Sequence, residues 1–428
     1  TTFTRFELTE AAVRCVLAAL ERVAAATFTP LRVPGQAHAL MRQTDRAIDW
    51  HTETTAAILA KFHAADGFPG VDDELFGERC RLFDAWPDGT WHGTPGELLG
   101  RRVTAVLRAT VDGAVWIGHV LRAGSIKLPA TLAFAQTQDL PEHLLDGWWR
   151  AQVPTWQDIA YDEVDGVGFL DFPFYNGAMS TQQCRRLLQA FDWATNRSTQ
   201  VIVLRGGPDF WSNGIHLNTI EAAQSPSDES WANIHAMDDL AESILRCETH
   251  LTVAAVQGGA GAGGCFLARC ADQVWVREGV MLNPHYKNMG NLFGSEFWTY
   301  LLPARVGDAG ARAIMQQRLP MTAAESVRLG FFDACIASAG FVQDVMHRAC
   351  ALAKADDCAE RLAVKQARRQ ADEALKPLTN YRAEELQEMQ RNFYGFDASY
   401  HVARYHFVKR SPHSWTPRHL ARHRDLDW

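Results

Sequence analysis

The 428-residue chain has no apolar run approaching ~18 residues, the length a membrane-crossing helix requires. No basic stretch followed by an apolar core opens it, so a secretory signal is not expected. Its 16 histidines include no HExxH segment. The nine cysteines, Cys15, Cys80, Cys184, Cys247, Cys265, Cys270, Cys335, Cys350 and Cys358, are odd in number and scattered. They lack metal-ligand spacing, so no metal is expected. Reduced, mostly buried thiols in a cytoplasmic protein are the natural expectation. Neither sign of charge dominates: 42 Lys plus Arg against 50 Asp plus Glu leaves −8, which gives bulk nucleic-acid binding no basis. The glycine runs lack GKS/T, which excludes a nucleotide P-loop. They also lack a spaced GxGxxG with a ribose-binding acid, which excludes a dinucleotide fold.

What remains is a chain 47% hydrophobic and long enough for two cores, since single cores rarely exceed ~250–300 residues. Residues 10–26 read as a helix, with Val13, Val16, Leu17, Leu20 and Val23 at helical spacing. Thr9 is its expected N-cap, and Leu8 could staple onto Val13. Such a helix needs a partner surface. Residues 31–135 have the texture of a small all-β, OB-like barrel. Strands are expected at 102–109, 114–119 and 126–128, a turn at Asp112-Gly113 and one helix at 52–65. Residues 136–160, with Pro141, Trp148, Trp149 and Pro154, read as a linker and packing segment. From Tyr161 the rhythm is α/β. Strands are expected at 166–171, 199–204, 251–256 and 273–277, and helices at 180–195 (Ser180 as N-cap) and 229–247. Further helices follow at 296–302, 310–317, 323–329, 340–355 and 382–392.

Two glycine-centred turns stand out, at 206–216 and 258–264. Glycine permits positive φ and close backbone approach to a ligand. A helix N-terminus leaves its first N–H groups free at the positive end of the helix dipole. Together they suit a developing oxyanion, though the same residues also fit a close-packed turn or a phosphate cradle.

The order strand, Asn213-Gly214 turn, helix, strand, glycine run, helix resembles the crotonase (enoyl-CoA hydratase/isomerase) superfamily, which implies a ClpP/crotonase-like α/β fold for residues 161–428. The resemblance makes Ile215 and, within Ala262-Gly263-Gly264, Gly263 the two oxyanion N–H donors for a CoA thioester carbonyl. The hydratases' two catalytic glutamates fall on Phe266 and His285. An enoyl-CoA hydratase needs an acid and a base there, so ordinary hydration is not expected.

The segments FYNGAMS (174–180), GGPDFWSNGIHLN (206–218), DESWANIHAMDD (228–239), NPHYKNMG (283–290), GSEFWTYLLP (294–303), NFYGFDASYH (392–401) and TPRHLARHR (416–424) are similar to a family of nickel–iron hydrogenase maturation proteins. That family is understood to form formyl-CoA in a folate-dependent module and to decarbonylate it, in a crotonase-like module, to CoA and the carbon monoxide that becomes an iron ligand. Its functional tyrosine and glutamate fall on Tyr286 and Glu296. Residues 31–130, with RAIDW (46–50) and DGFPG (66–70), resemble the C-terminal barrel of methionyl-tRNA formyltransferases. Residues 8–26 resemble the last helix of the preceding catalytic core, so 1–30 are expected to be a remnant of it. The rest of that core has no counterpart in the sequence, whether by truncation or by natural loss, and folate chemistry is not expected here.

The resemblance thus implies a formyl-CoA decarbonylase, a lyase with coenzyme A as its carrier. Glu296, at the expected start of a helix, would move protons. Its helix position favours the carboxylate and its apolar neighbours Phe293, Phe297 and Trp298 oppose it. Tyr286 would direct it and His285 assist. Asn213, Gly214, Gly264, Trp211, Phe266 and Arg185 would shape the CoA site, with Arg186, Lys287 and Lys365 as further phosphate-binding candidates. Each has a plain structural reading too: Glu296 a helix-start acid, Tyr286 a core tyrosine, Asn213 a turn brace, Trp211 and Trp231 packing. His216 and His235 read as structural, Asp238-Asp239 as a solvated helix face, and 400–410 as a basic, aromatic tail packed across the module. A hydrolase or isomerase acting on another small acyl-CoA, or a non-catalytic CoA-binding scaffold, stays open. The implied partners are a formyltransferase domain or protein and hydrogenase maturation proteins.

Overall fold

The computed structural model describes residues 8–30, 35–36 and 38–411; the motif at 416–424 lies outside them. The chain divides into two compact units, Thr1–Gln157 and Asp158–Trp428.

In the first unit α1 (Thr9–Ala24) begins after Leu8, which is itself helical and makes no side-chain cap. Thr9 is therefore the first helical residue rather than the N-cap. Leu8 and Val13 are both more than half exposed, which leaves no buried staple. After α2 (Gln43–Arg46) and α3 (Thr55–Ala65), capped by Thr54, come β1 (Val71–Leu75), β2 (Glu78–Asp88), β3 (Leu98–Arg102), β4 (Ala105–Ala109), β5 (Ala114–Arg122) and β6 (Lys127–Pro129). They form one antiparallel sheet in the order β1-β2-β5-β4-β3, with β6 on β5. α4 (Ala130–Ala133) closes it. Arg102 then ties down the following segment by donating to His143 O, Thr155 Oγ1 and Trp156 O. Trp156 itself joins Leu107 and Trp116 in a buried cluster.

The second unit runs β7 (Ala160–Val164), β8 (Val167–Phe172), α5 (Thr181–Ala194), β9 (Val201–Gly206), β10 (Phe210–Ser212), α6 (Leu217–Ala222), α7 (Pro226–Leu245), β11 (Leu251–Val256), β12 (Gly259–Gly261), α8 (Gly263–Arg269), β13 (Gln273–Arg277), β14 (Met281–Asn283), α9 (Trp298–Gln317), β15 (Met321–Thr322), α10 (Ala323–Arg328), β16 (Ala334–Ile336), α11 (Phe341–Lys354), α12 (Cys358–Leu375), α13 (Leu378–Tyr394) and α14 (Ser399–Lys409). The large sheet, β16-β13-β11-β9-β8-β7, is parallel except for β7 on β8. β9, β11 and β13 are each followed by a short strand of a second sheet, β10-β12-β14-β15. This repeated step from sheet to sheet is the crotonase fold expected from the sequence. β11 is buried at every position, as a parallel strand covered on both faces requires. One face packs Val167, Val203, Val253 and Trp275 against Phe341 and Val345 of α11. Ser180 caps α5 in a capping box with Gln183.

Three expectations need correcting. The helices placed at 296–302 and 310–317 are parts of α9, which passes through Pro303 and breaks at Gly307, where φ is +71°. Glu296 and Phe297 precede it and are not helical: both are left-handed, with φ of 59° and 60°. The strand expected at 102–109 is instead a hairpin, with Arg102 ending β3 and Ala105 opening β4. Residues 400–410 pack on the unit as expected, as most of α14, which buries Tyr400, Ala403, Arg404 and Val408. All nine cysteines are unpaired, and six are buried.

Candidate active site

The first glycine turn joins β10 to α6. Gly214 has φ +77° and donates its N–H to Ser212 Oγ (3.1 Å). Asn213 braces the turn, donating from its side chain to Asn176 O (2.8 Å) and from its amide to Gly177 O. Met179 then pins it from both sides, donating to Gly214 O and accepting from the His216 amide. Between those two bonds the Ile215 amide takes no partner among the described residues.

The second turn starts α8. The Ala262 N–H goes to Asn283 O and its φ of 48° turns the chain into the helix. The Gly263 amide is the first of the helix and likewise takes no partner among the described residues, as expected of a first-turn N–H. The two turns touch: a Cβ on Gly214 would lie 3.5 Å from Gly263 N. A Cβ on Gly264 would lie 2.0 Å from Ser212 O, so only glycine fits there. Trp211 donates its indole N–H to Gly264 O (3.0 Å), so it fastens the two turns together.

Glu296 completes the arrangement. Its carboxyl group lies against Gly263, where a Cβ would sit 2.1 Å from Glu296 Oε1. The Tyr286 hydroxyl is 2.6 Å from Glu296 Oε2 and 2.9 Å from Ser295 O. The Tyr286 ring stacks on Phe266 at 5.7 Å. Phe266, at the position where the sequence resemblance places a hydratase acid, thus packs on the tyrosine ring.

Two further buried carboxylates hold the backbone. Asp238 accepts the Glu296 amide (2.9 Å) and the Ser295 hydroxyl (2.7 Å). Glu385 of α13 accepts the Phe297 amide (2.9 Å), the Thr299 amide (2.8 Å) and the Thr299 hydroxyl (2.6 Å). A non-glycine residue in the left-handed region costs on the order of 1–3 kcal/mol, and these five bonds oppose that cost. α13 also braces the loop ahead of Glu296: Asn392 Oδ1 accepts the Phe293 amide and Met389 Sδ faces the Gly294 amide.

Burial and the Asp238 charge push the Glu296 carboxyl up to about 8, although the Tyr286 bond works the other way. The sequence reading had a helix end favouring its ionised form; the residue is not on the helix, and desolvation prevails. Burial also lifts Asp238 to about 6, with the Ser295 hydroxyl and Glu296 amide opposing. Glu385 is raised well above the carboxylate range by burial and then Asp238. Burial and the Glu296 charge raise the Tyr286 hydroxyl far above its usual value, so it stays a proton donor. His285 is buried with neither ring nitrogen hydrogen-bonded. Burial and then the Arg318 charge lower its pKa, with an Arg318 backbone contact opposing.

The structure therefore gathers Ile215, Gly263, Gly214, Asn213, Gly264, Trp211, Phe266, Tyr286 and Glu296, with His285 beside Tyr286 in the chain. It leaves Arg185 exposed on α5 with no bond among the described residues. Arg186 is ion-paired with Asp158. Lys365 cannot serve a CoA phosphate as expected, because it is buried and bonded to Asp272 and His250 O. Asp238 is not a solvated residue but 0% exposed. His216 caps α6 by accepting the Thr219 amide, and His235 packs edge-on to Trp231. The residues the sequence reading missed are Asp238, Ser295 and Glu385. For Asp238 a signal existed: it lies four residues after Ile234 and three before Ala241, an acid on the apolar face of α7. Among the described residues no cluster of His, Cys, Asp and Glu could hold a metal ion, and no helix is long and apolar enough to cross a membrane.

Comparison with known proteins agrees with this fold. The enoyl-CoA hydratase/isomerase family model matches residues 169–418, and the formyl transferase C-terminal domain matches residues 40–138. Over 98% of its length the chain is 48% identical to hydrogenase maturation factor HoxX of Bradyrhizobium diazoefficiens, covering 74% of that protein. The crystal structure of HypX from Aquifex aeolicus in complex with tetrahydrofolic acid is 44% identical. It superposes with a TM-score of 0.94 over 100% of this chain and 77% of that one. Enoyl-CoA hydratase from Bacillus halodurans is similar in fold: at 16% identity it covers 58% of this chain and 99% of its own, with a TM-score of 0.52.

Proposed function

From a chain that belongs to the hydrogenase maturation factor HoxX family and carries an enoyl-CoA hydratase/isomerase unit, we propose the decarbonylation of formyl-CoA to carbon monoxide and free CoA. The carbon monoxide would serve hydrogenase active-site assembly, with a formyltransferase supplying the formyl-CoA. The observation that carries this reading is the Tyr286–Glu296 pair, held at 2.6 Å with its carboxyl group against Gly263.

The step is redox-neutral. The C–S bond breaks with its electron pair on sulfur, which ends protonated. The formyl proton leaves, and its bonding pair stays on carbon as the lone pair of CO. One acid–base group can manage both transfers. Glu296, raised to about 8, holds a proton near neutrality, gives it to the departing sulfur and recovers the formyl proton. Tyr286, held neutral by burial, donates to the carboxyl group and fixes its direction. A group titrating near the working pH is the effective kind of proton carrier.

The Ile215 and Gly263 amides are the proposed polarisers of the thioester carbonyl. A preorganised donor of this kind contributes about 3–4 kcal/mol in related chemistry. The carboxyl group's approach to Gly263 suits a one-carbon acyl group. Trp211, Phe266 and Phe297 are all buried and help keep water, and so hydrolysis to formate, out. His285, buried next to Tyr286 in the chain, is the proposed second proton carrier. Arg185 and the half-buried Lys287 are the proposed contacts of the CoA phosphates.

The test is incubation of the whole chain with formyl-CoA, trapping CO on reduced haemoglobin and titrating free CoA thiol. Equal yields of CO and thiol, abolished in E296Q, are expected. Formate with thiol and no CO would make it a hydrolase. CoA binding without turnover would make it a scaffold.

A further inference from the structure

α8 has a second functional end. Its seven residues span ~10 Å at ~1.5 Å per residue. Beyond Arg269 the end of α8, the first turns of α9 and the middle of α12 enclose a cavity of about 310 Å³. None of Ile215, Gly263, Tyr286 or Glu296 lines it. Its wall carries Arg269, Arg305, Lys365, Arg368 and Arg369 against Asp272 and Asp372, and Asp333 and Glu373 pair with three of these arginines.

Three of these cations are committed to the fold. Arg269 pairs with Asp333 and donates to the carbonyls of Ala271, Asp272 and Phe331. Arg305 pairs with the same Asp333 and donates to Gly330 O. Lys365 pairs with Asp272 and donates to His250 O. Asp372 accepts the Tyr300 hydroxyl.

That leaves the adjacent Arg368 and Arg369. Arg368 meets a carboxylate only at 4.0 Å, on an Asp272 already bonded to Lys365, and its side chain is 64% exposed. The Arg369 side chain is 8% exposed. It donates to the Tyr300 hydroxyl (2.9 Å) and reaches Glu373 at 3.4 Å, and its buried Nε has no partner. A buried donor left unmade costs about 1–3 kcal/mol, which an acceptor in the cavity would relieve.

We propose that this cavity is a binding site for a small dianion of the phosphate-monoester type, held between Arg368 and Arg369. Guanidinium forks match phosphate oxygens in pairs, and two guanidinium groups match a doubly charged ligand better than a singly charged one. The volume lies at the lower end of small-ligand sites, roughly 300–1,000 Å³. The site stands apart from the decarbonylation reading.

The test is calorimetric titration of the whole chain in low-salt buffer with inorganic phosphate, and with acetate at matched ionic strength, followed by R368E, R185E and E296Q. Arg368 is the safe position to change, because its exposed side chain holds no element together. Saturable phosphate binding with Kd below about 1 mM, weaker acetate binding, and at least tenfold weakening in R368E alone are expected. No saturable phosphate heat, or binding that R368E leaves unchanged, would overturn the proposal. Loss in R185E in place of R368E would put the phosphate on the CoA path and overturn it as well.

Discussion

Asp238 both holds Glu296 and perturbs it: its Oδ1 accepts the Glu296 amide at 2.9 Å, while its charge helps to raise the Glu296 carboxyl. A substitution that keeps the oxygen and removes the charge separates these effects. In D238N the hydrogen-bonding shape is largely retained and Glu296 titrates lower. If the protonated carboxyl is the active form, CO release declines as pH rises through the Glu296 pKa. The alkaline limb in D238N should therefore move to lower pH. A one-unit move means about tenfold more loss on that limb than on the acid side, readable as CO release at pH 6 and pH 8.

Y286F tests the opposite displacement. The Tyr286 hydrogen bond lowers the Glu296 pKa, so its removal should carry the alkaline limb to higher pH. The ring keeps its stack on Phe266, and a lost hydrogen bond costs only about 0.5–1.5 kcal/mol. Folding should survive while turnover falls by about 10²–10⁴-fold, the usual worth of a positioned acid–base group. A normal rate would remove Tyr286 from the mechanism.

Adjacent glycines should respond differently to alanine. A Cβ at position 263 meets the Glu296 carboxyl, the end of a side chain, whereas at 264 it meets the Ser212 backbone at 2.0 Å. G263A should lose roughly 10²–10³ in turnover with a small change in Tm. G264A should show the reverse emphasis, a drop of several degrees in Tm from a backbone that cannot yield. Melting curves beside rate measurements distinguish the two.

Stability should fall as the solution turns alkaline. Glu296 is raised from 4.5 to about 8 and Asp238 from 3.8 to about 6, so between those limits the folded chain binds more protons than the unfolded one. Their contribution is complete below pH 4, and is lost as pH rises, through about 6 for Asp238 and about 8 for Glu296, at about 1.4 kcal/mol per unit for each group. Urea unfolding of the whole chain from pH 5 to 8 should give a falling midpoint, and E296Q should flatten the slope above pH 6.

The sequence spoke clearly where chemistry is local. Val201–Gly206 and Leu251–Val256 are apolar runs leading into glycine turns, and their order carried the resemblance to the crotonase fold. Ser180 and Gln183 announce their helix by a capping box. It was mute where a residue's meaning depends on a distant partner. Asp238 stands next to an exposed Asp239 and looks like its equal, but Ser295, 57 residues away, decides otherwise. Lys365 passed for a solvated cation because Asp272, 93 residues off, is invisible in one dimension. The backbone of Glu296 misled for the same reason: a helix pattern runs up to it, but the left-handed turn depends on Asp238 and Glu385.

The bonds from α13 to the loop that carries Glu296 set an order of events during synthesis. Glu385 and Asn392 lie 88 and 99 residues beyond the amides they hold, so a nascent chain has its sheets before it can fix its reactive carboxyl. Under the proposed reaction, a thioester meeting such an unfinished chain would find no poised acid. The carboxyl group proposed to carry protons is thereby fixed only once α13 has been made.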